Sequence, residues 1–278
     1  MEQVANFLRF IRFSHTIFAL PFALAAMFVA ADGWPGLRVF GGVIATMIFA
    51  RTAAMTFNRV ADWEIDKRNP RTEGRHRLTT RRSAIAACVA SSLGFVVSAW
   101  WLNDLCFVLA PVALGIVFFY SLTKRFTHFA QLFLGLALAV APVGAWIAVT
   151  GSFDLPPLLL AVAVLLWVTG FDLIYASQDY EVDVREGLKS LVVRLGVARS
   201  FQAAVGLHIA AFVALVAFGF VAGLGMVYYT SLAVVLAALL FEHLEARRGS
   251  VASINRAFFL ANAAVGVAFL LGVILDRI

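Results

Sequence analysis

Apolar residues run along this chain in blocks of membrane-spanning length, separated by short polar breaks. The blocks predict nine transmembrane helices, near residues 14–31, 37–57, 83–101, 105–120, 128–150, 156–176, 201–222, 225–241 and 257–275. Residues 2–12 (EQVANFLRFIR) instead alternate in the manner of an amphipathic helix lying on a membrane surface. Tight hairpins are expected near 102–104 and 222–225. Pro21, Pro111 and Pro142 fall inside predicted helices, where neighbours in a bundle can satisfy the freed backbone groups. Two polar loops, 58–82 and 177–200, stand out by length. Each follows the second helix of a set of four, which hints at a weak internal repeat.

Composition agrees with this pattern. Hydrophobic residues make up 62% of the 278 residues and charged residues 14%, with a mean hydropathy of +0.91. A soluble domain is nearer half apolar and a quarter charged. The expectation is an all-α integral membrane protein, one domain over residues 1–278, embedded in a lipid bilayer. The N-terminal apolar stretch resembles a signal peptide, but so many spans follow that it reads as a retained first helix. Cys88 and Cys106 sit in apolar runs with no metal or disulfide spacing.

The net charge of +6 changes the picture through its distribution. Of the 22 Lys and Arg residues, only Arg38 and Arg277 fall on loops of the side opposite the N-terminus, and only Arg51 lies inside a span. The positive-inside rule then puts the N-terminus and both long loops in the cytoplasm and the C-terminus outside, in a bacterial inner membrane. Basic residues dispersed over short loops make a nucleic-acid partner unexpected.

The candidate chemistry lies in the two long loops. In NRVADWEID, residues 58–66, Asn58, Asp62 and Asp66 recur at i, i+4 and i+8, on one helical face. In FDLIYASQDYEVD, residues 171–183, Asp172, Asp179 and Asp183 again share a face, with Tyr175 beside them. Unpartnered carboxylates gathered in this way would repel one another. An acidic cap paired with Lys and Arg would account for either motif alone. Their recurrence at matched span ends favours a divalent metal. Oxygen-only donors suit Mg²⁺, held by Asp62, Asp66, Asp179 and Asp183 and shared with substrate phosphates. Asp172, at membrane depth, is a functional candidate in its own right. Arg71, Arg75, Lys124, Arg125 and Lys189 are the basic residues best placed to meet phosphate oxygens. The five histidines form no spaced cluster and read as packing or interface residues.

NRVADWEID followed by RNPRTEGR, and then DLIYASQDYEVDVREGLKS, resemble the paired Asn-x-x-x-Asp-x-x-x-Asp and Asp-x-x-x-Asp motifs of the UbiA superfamily of intramembrane aromatic prenyltransferases. RFSHTIFALPFAL at 12–24 and YSLTKRFTHFAQLFLGLALAVAPVGAWIAVTG at 120–151 extend the likeness over most of the chain. Members acting on 4-hydroxybenzoate are close, as is the MqnP-like branch assigned to a naphthoate. The chain departs from the family at RHRLTTRRS, which lacks the Pro and Gly of the usual Arg-x-Leu-Pro-x-Gly stretch.

The resemblance implies nine helices around a central intramembrane cavity. It implies Mg²⁺ and a polyprenyl diphosphate held by the four motif aspartates with help from Asn58. It also implies a small aromatic acid as acceptor, 4-hydroxybenzoate or a dihydroxynaphthoate, in quinone biosynthesis. Asp172 and Tyr175 are placed to orient the acceptor or take its proton, and Arg125 to hold its carboxylate. A transporter with an acidic cytoplasmic site is the rival class. It is disfavoured because the acids cluster at one membrane face beside basic residues. UbiA-type enzymes acting on haem, chlorin or lipid alcohols are the nearer alternatives.

Overall fold

The structure is a computed structural model. It describes residues 2–11, 16, 18–68, 72, 74 and 78–278, and leaves the side chains of 2–5, 65 and 68 undescribed. Every regular element among the described residues is helical. In chain order these are α1 (Glu2–Phe10), α2 (Leu20–Ala30), α3 (Leu37–Ala61), α4 (Trp63–Arg68), α5 (Arg81–Leu102), α6 (Asp104–Tyr120) and α7 (Ala130–Thr150). There follow α8 (Leu155–Ala176), α9 (Tyr180–Arg185), α10 (Leu191–Leu195), α11 (Val197–Val221), α12 (Met226–Ala246), α13 (Val251–Arg256) and α14 (Asn262–Arg277).

Nine of the expected spans have an apolar helix at their core, but they are not equal in length. Among the described residues, seven stretches are long and apolar enough to cross a bilayer: α3, α5, α7, α11, α12, the run from α8 through α9, and the run from α13 through α14. The two exceptions are α2, with 11 residues, and α6, with 17. At 1.5 Å per residue α6 is about 25 Å long, just short of a hydrocarbon core of roughly 30 Å. α2 can be short because it is not a lipid-facing span. Eight of its residues, from Pro21 to Val29, are buried, so it is surrounded by protein rather than lipid. It packs on α7 and α14. The other helices pack pairwise, α3 on α5, α6 on α7, α8 on α7 and α11, and α12 on α14.

Local chemistry sets the helix ends. Pro21 lies in the first turn of α2, where its missing N–H costs nothing, rather than in a helix interior. Pro111 and Pro142 do lie inside α6 and α7. Asn103 caps α6 by accepting from the Cys106 N–H at 2.9 Å, and its amide donates to the Ile147 carbonyl at 2.8 Å, tying this hairpin to α7. At the same end Arg277 bridges Asp32 at 2.6 Å and also donates to the Ala222 carbonyl, which binds α14 to two interhelical turns. Small residues let helices approach closely. A Cβ on Gly135 of α7 would stand 2.5 Å from the Leu165 carbonyl of α8, so only glycine permits that contact. The outer surface is apolar: Val89, Leu93, Val97 and Trp100 expose one stripe of α5, as lipid contact requires.

Where they are described, the two polar loops are largely helical. Asp62 marks the end of α3, yet its N–H still bonds the Asn58 carbonyl at 2.9 Å, and the Asp66 N–H bonds the Asp62 carbonyl at 2.8 Å. The helical spacing of the first motif therefore survives the break. In the second, a 3₁₀ turn over Ser177–Asp179 joins α8 to α9 and carries the acids onward without leaving the helix direction.

Candidate active site

Both motifs line one polar cavity of about 260 Å³ at the end of the bundle. α3 and α4 bring Asn58, Asp62 and Asp66, while the run from α8 to α9 brings Asp172, Tyr175, Asp179 and Asp183. A 3₁₀ turn over Thr123–Arg125 inserts Lys124 and Arg125 between them. That turn is pinned from the far side. The Lys189 N–H donates to the Lys124 carbonyl at 2.9 Å, and the Leu191 N–H donates to Gln131 Oε1 at 3.1 Å.

Each motif meets a cation. Arg125 donates to the Ala61 carbonyl at 2.7 Å and to Asp62 Oδ1 at 3.3 Å. Arg59 lies 3.5 Å from Asp66 Oδ2, and Lys124 lies 3.7 Å from Asp183 Oδ2. The Asn58 amide faces Asp62 Oδ2 at 3.4 Å, and Thr72 holds the Asp66 carbonyl at 3.0 Å. Burial holds the Asp62 carboxyl above its ordinary range although the Arg125 hydrogen bond opposes this. Burial alone would depress Lys124, but the charges of Asp183, Asp172, Asp179 and Asp62 outweigh it and leave the ammonium more basic than an ordinary lysine.

The cavity's charge balance bears on the metal. Among the described residues its wall carries three cations, Arg59, Lys124 and Arg125, against six acids, Asp62, Asp66, Asp172, Asp179, Asp183 and Glu186. The described wall is therefore net negative, and it would repel a diphosphate unless further positive charge joined it. Among the described residues no three His, Cys, Asp or Glu side chains converge closely enough to cage an ion unaided. That fits Mg²⁺, which typically takes one or two carboxylates and completes its shell with water and substrate phosphates. Asp62 and Asp66 on one wall and Asp179 and Asp183 on the other could each serve an ion in this way.

Below the polar cavity lies an apolar chamber of about 650 Å³. The two share Arg59, Tyr120, Leu134, Asp172 and Tyr175, which therefore form the neck between them. Residues of α3, α6 and α7, largely alanine, valine and leucine, make up most of the chamber wall, and among the described residues its only charged lining residues are Arg51, Arg59 and Asp172.

The sequence-predicted residues divide accordingly. Asn58, the four motif aspartates, Asp172, Tyr175, Lys124 and Arg125 meet at one cavity. Lys189 does not line it: its side chain is exposed, and its backbone supports the Lys124 turn. Arg71 and Arg75 lie outside the described residues, as does Arg77. Sequence reasoning gave no role to Arg59, Arg51 or Tyr120. The available signal was charge at membrane depth, which marks Arg51 and the buried Arg59 just as it marks Asp172.

The sequence pattern of the UbiA prenyltransferase family matches residues 19–263. The chain is 31% identical over 257 residues to the 4-hydroxybenzoate octaprenyltransferase of Nitrosospira multiformis, covering 91% of this chain and 88% of that one. Its fold is similar to the apo structure of a UbiA homologue from Aeropyrum pernix K1, with a TM-score of 0.86 and 31% identity over 95% of this chain and 98% of that one. A UbiA homologue from Archaeoglobus fulgidus, solved with geranyl diphosphate (GPP) and Mg²⁺, shares the fold at a TM-score of 0.71 and 21% identity, over 97% and 99% of the two chains. The paired acidic motifs at one mouth of an all-helical membrane bundle, together with these matches, place the chain in the UbiA prenyltransferase family.

Proposed function

We propose that this protein transfers a polyprenyl group from a polyprenyl diphosphate to a ring carbon of a small aromatic acid, 4-hydroxybenzoate or a dihydroxynaphthoate, in quinone biosynthesis. The observation that carries this reading is the junction of an acid-lined cavity with an apolar chamber across a neck containing Asp172 and Tyr175. A polyprenyl diphosphate has the same division, a charged head and an apolar tail, with the reacting carbon between them. Relatives named 4-hydroxybenzoate octaprenyltransferase support the choice of acceptor, and homologues solved with prenyl diphosphates and Mg²⁺ support the donor and metal.

In this reading Asp62, Asp66, Asp179 and Asp183 hold Mg²⁺, which supplies the charge that lets a diphosphate leave. Lys124 and Arg125 reach the same oxygens, with Asn58 orienting Asp62. The allylic C–O bond breaks and its electron pair departs with the diphosphate. The chamber walls keep water from the allylic cation. The acceptor ring supplies the electron pair of the new C–C bond, and the displaced ring proton passes to Asp172, with Tyr175 steering the ring. Arg125 stands beside Asp62 at the diphosphate cavity, so we assign the acceptor's carboxylate instead to Arg51, which lines only the apolar chamber where the ring would sit.

Arg51→Ala is expected to raise the acceptor's KM with little change in the donor's. Losing a charge-assisted hydrogen bond costs about 1.5–3 kcal/mol, which corresponds to a ten- to hundredfold change in binding. The methyl ester of the acceptor should show much of that loss in the unmutated protein. If Arg125→Ala raises the acceptor's KM and Arg51→Ala does not, the handle is Arg125. If the ester is prenylated as well as the acid, carboxylate recognition is wrong and haem, chlorin or lipid-alcohol acceptors come back into consideration.

We further place the N-terminus and the active site on the cytoplasmic side of a bacterial inner membrane, because the acidic cavity lies on the Lys- and Arg-rich side of the bundle. Reporter fusions at Ile278 should report an external C-terminus. A cytoplasmic one would mean that one of the short helices, α2 or α6, does not cross.

A further inference from the structure

Away from both cavities, apolar helices enclose a polar cluster that the chemistry above does not use. Glu242 on α12 and Asn262 at the head of α14 are each 0% exposed. Polar groups inside a membrane bundle are costly to bury and tend to mark function. The Asn262 amide donates to Glu242 Oε1 at 3.1 Å and to the Phe258 carbonyl at 2.8 Å. His208 closes the cluster, with Nδ1 3.8 Å from Glu242 Oε2 and 2.9 Å from His243 Nε2.

Phe258 lies in a π-helical turn, Ala257–Ala261. Such turns insert a residue into a helix and occur frequently at functional sites. The backbone N–H of Asn262 points to the Phe259 carbonyl rather than to that of Phe258, four residues back. The side-chain amide of Asn262 therefore supplies the bond that an α-helical backbone would have given Phe258. Phe258 in turn lines the apolar chamber with its ring 4.2 Å, centroid to centroid, from Tyr175. A continuous chain of contacts thus runs from a buried carboxyl group to an aromatic ring at the neck.

We propose that Glu242 and Asn262 are positioning residues: they clamp the π turn so that Phe258 holds Tyr175 in place where the allylic group meets its acceptor. The clamp acts through Phe258 and touches neither substrate, and its kinetic consequence rests on the prenyl-transfer reading above.

Asn262→Leu, of similar volume but without the hydrogen bonds, is expected to lower kcat by about tenfold to a hundredfold, the scale of a small misplacement at the reacting centre. The donor's KM should stay within about twofold, because the diphosphate cavity is untouched. Glu242→Gln keeps the Oε1 acceptor and should retain activity, whereas Glu242→Leu should behave like Asn262→Leu. Phe258→Leu should reproduce the loss, and the Phe258→Leu/Asn262→Leu double variant should lose no more than either single one, as expected of coupled sites. Hydrogen exchange at amides 257–262 reads the clamp without any substrate, and in Asn262→Leu it should speed up by about tenfold or more. A wild-type protein that prenylates no aromatic acid would overturn the proposed activity, and the exchange measurement would still decide the clamp. Unchanged exchange in Asn262→Leu overturns the clamp itself. Faster exchange with an unchanged kcat, or losses that multiply in the double variant, overturns its role in positioning. If Asn262→Leu does not accumulate in membranes, Phe258→Leu carries the test, and wild-type kcat there overturns the proposal.

Discussion

Asp183→Ala is expected to lower prenyl transfer by about 10²–10³-fold or more, the range seen when one preorganised electrostatic contact to a developing charge is removed. Asp183 is buried on α9 and sits 3.7 Å from Lys124. It thus serves the site twice, as a proposed metal ligand and as the anchor that keeps the Lys124 ammonium at the cavity. Asp62→Ala should give a loss of the same order. Asp62 is likewise a proposed ligand, and it is the partner that both Arg125 and Asn58 face. Neither change should unfold the protein. The cationic partners of both pairs, Lys124 and Arg125, are partly exposed, so a cation left without its carboxylate can still be solvated. Turnover and thermal unfolding in the same detergent preparation separate the two effects. Near-normal turnover in either variant would remove that residue from the catalytic set.

Chelation should be at least as damaging. With EDTA, activity is expected to fall to background and to return on adding Mg²⁺ or Mn²⁺. The argument rests on charge. Six acids against three cations in the described wall leave the cavity negative before an anionic substrate arrives. Two unit charges 4 Å apart interact by about 4 kcal/mol at an effective dielectric of 20, so a diphosphate entering such a wall unaided would be repelled several times over. A cavity that instead used Arg and Lys alone would keep full activity after exhaustive chelation, and that result would dismiss the metal.

Much of this architecture was legible in the chain because two periodicities are strong. The spans show as unbroken apolar runs, and the acids show as one helical face. The 3.6-residue repeat carried Asn58, Asp62 and Asp66 to one cavity even though α3 ends at Ala61. What periodicity cannot give is contact between distant helices. His208 and His243 are 35 residues apart and looked unrelated, yet they meet at 2.9 Å. The span expected to end at 241 left Glu242 in a loop, but α12 continues to Ala246 and buries it. The π turn at Ala257–Ala261 lies within an apolar run, whose periodicity does not mark it. Arg51 was visible as a charge within a span, but its place on the chamber wall depends on how α3 packs against α6 and α7.

The most direct test of the account is a membrane assay with radiolabelled polyprenyl diphosphate and a panel of aromatic acids. The account predicts label joined through a carbon–carbon bond to 4-hydroxybenzoate or a dihydroxynaphthoate, only with Mg²⁺ present and with diphosphate released in equal amount. Label that stays on the diphosphate, appears only as free polyprenol, or moves to an acceptor without an aromatic ring would contradict it.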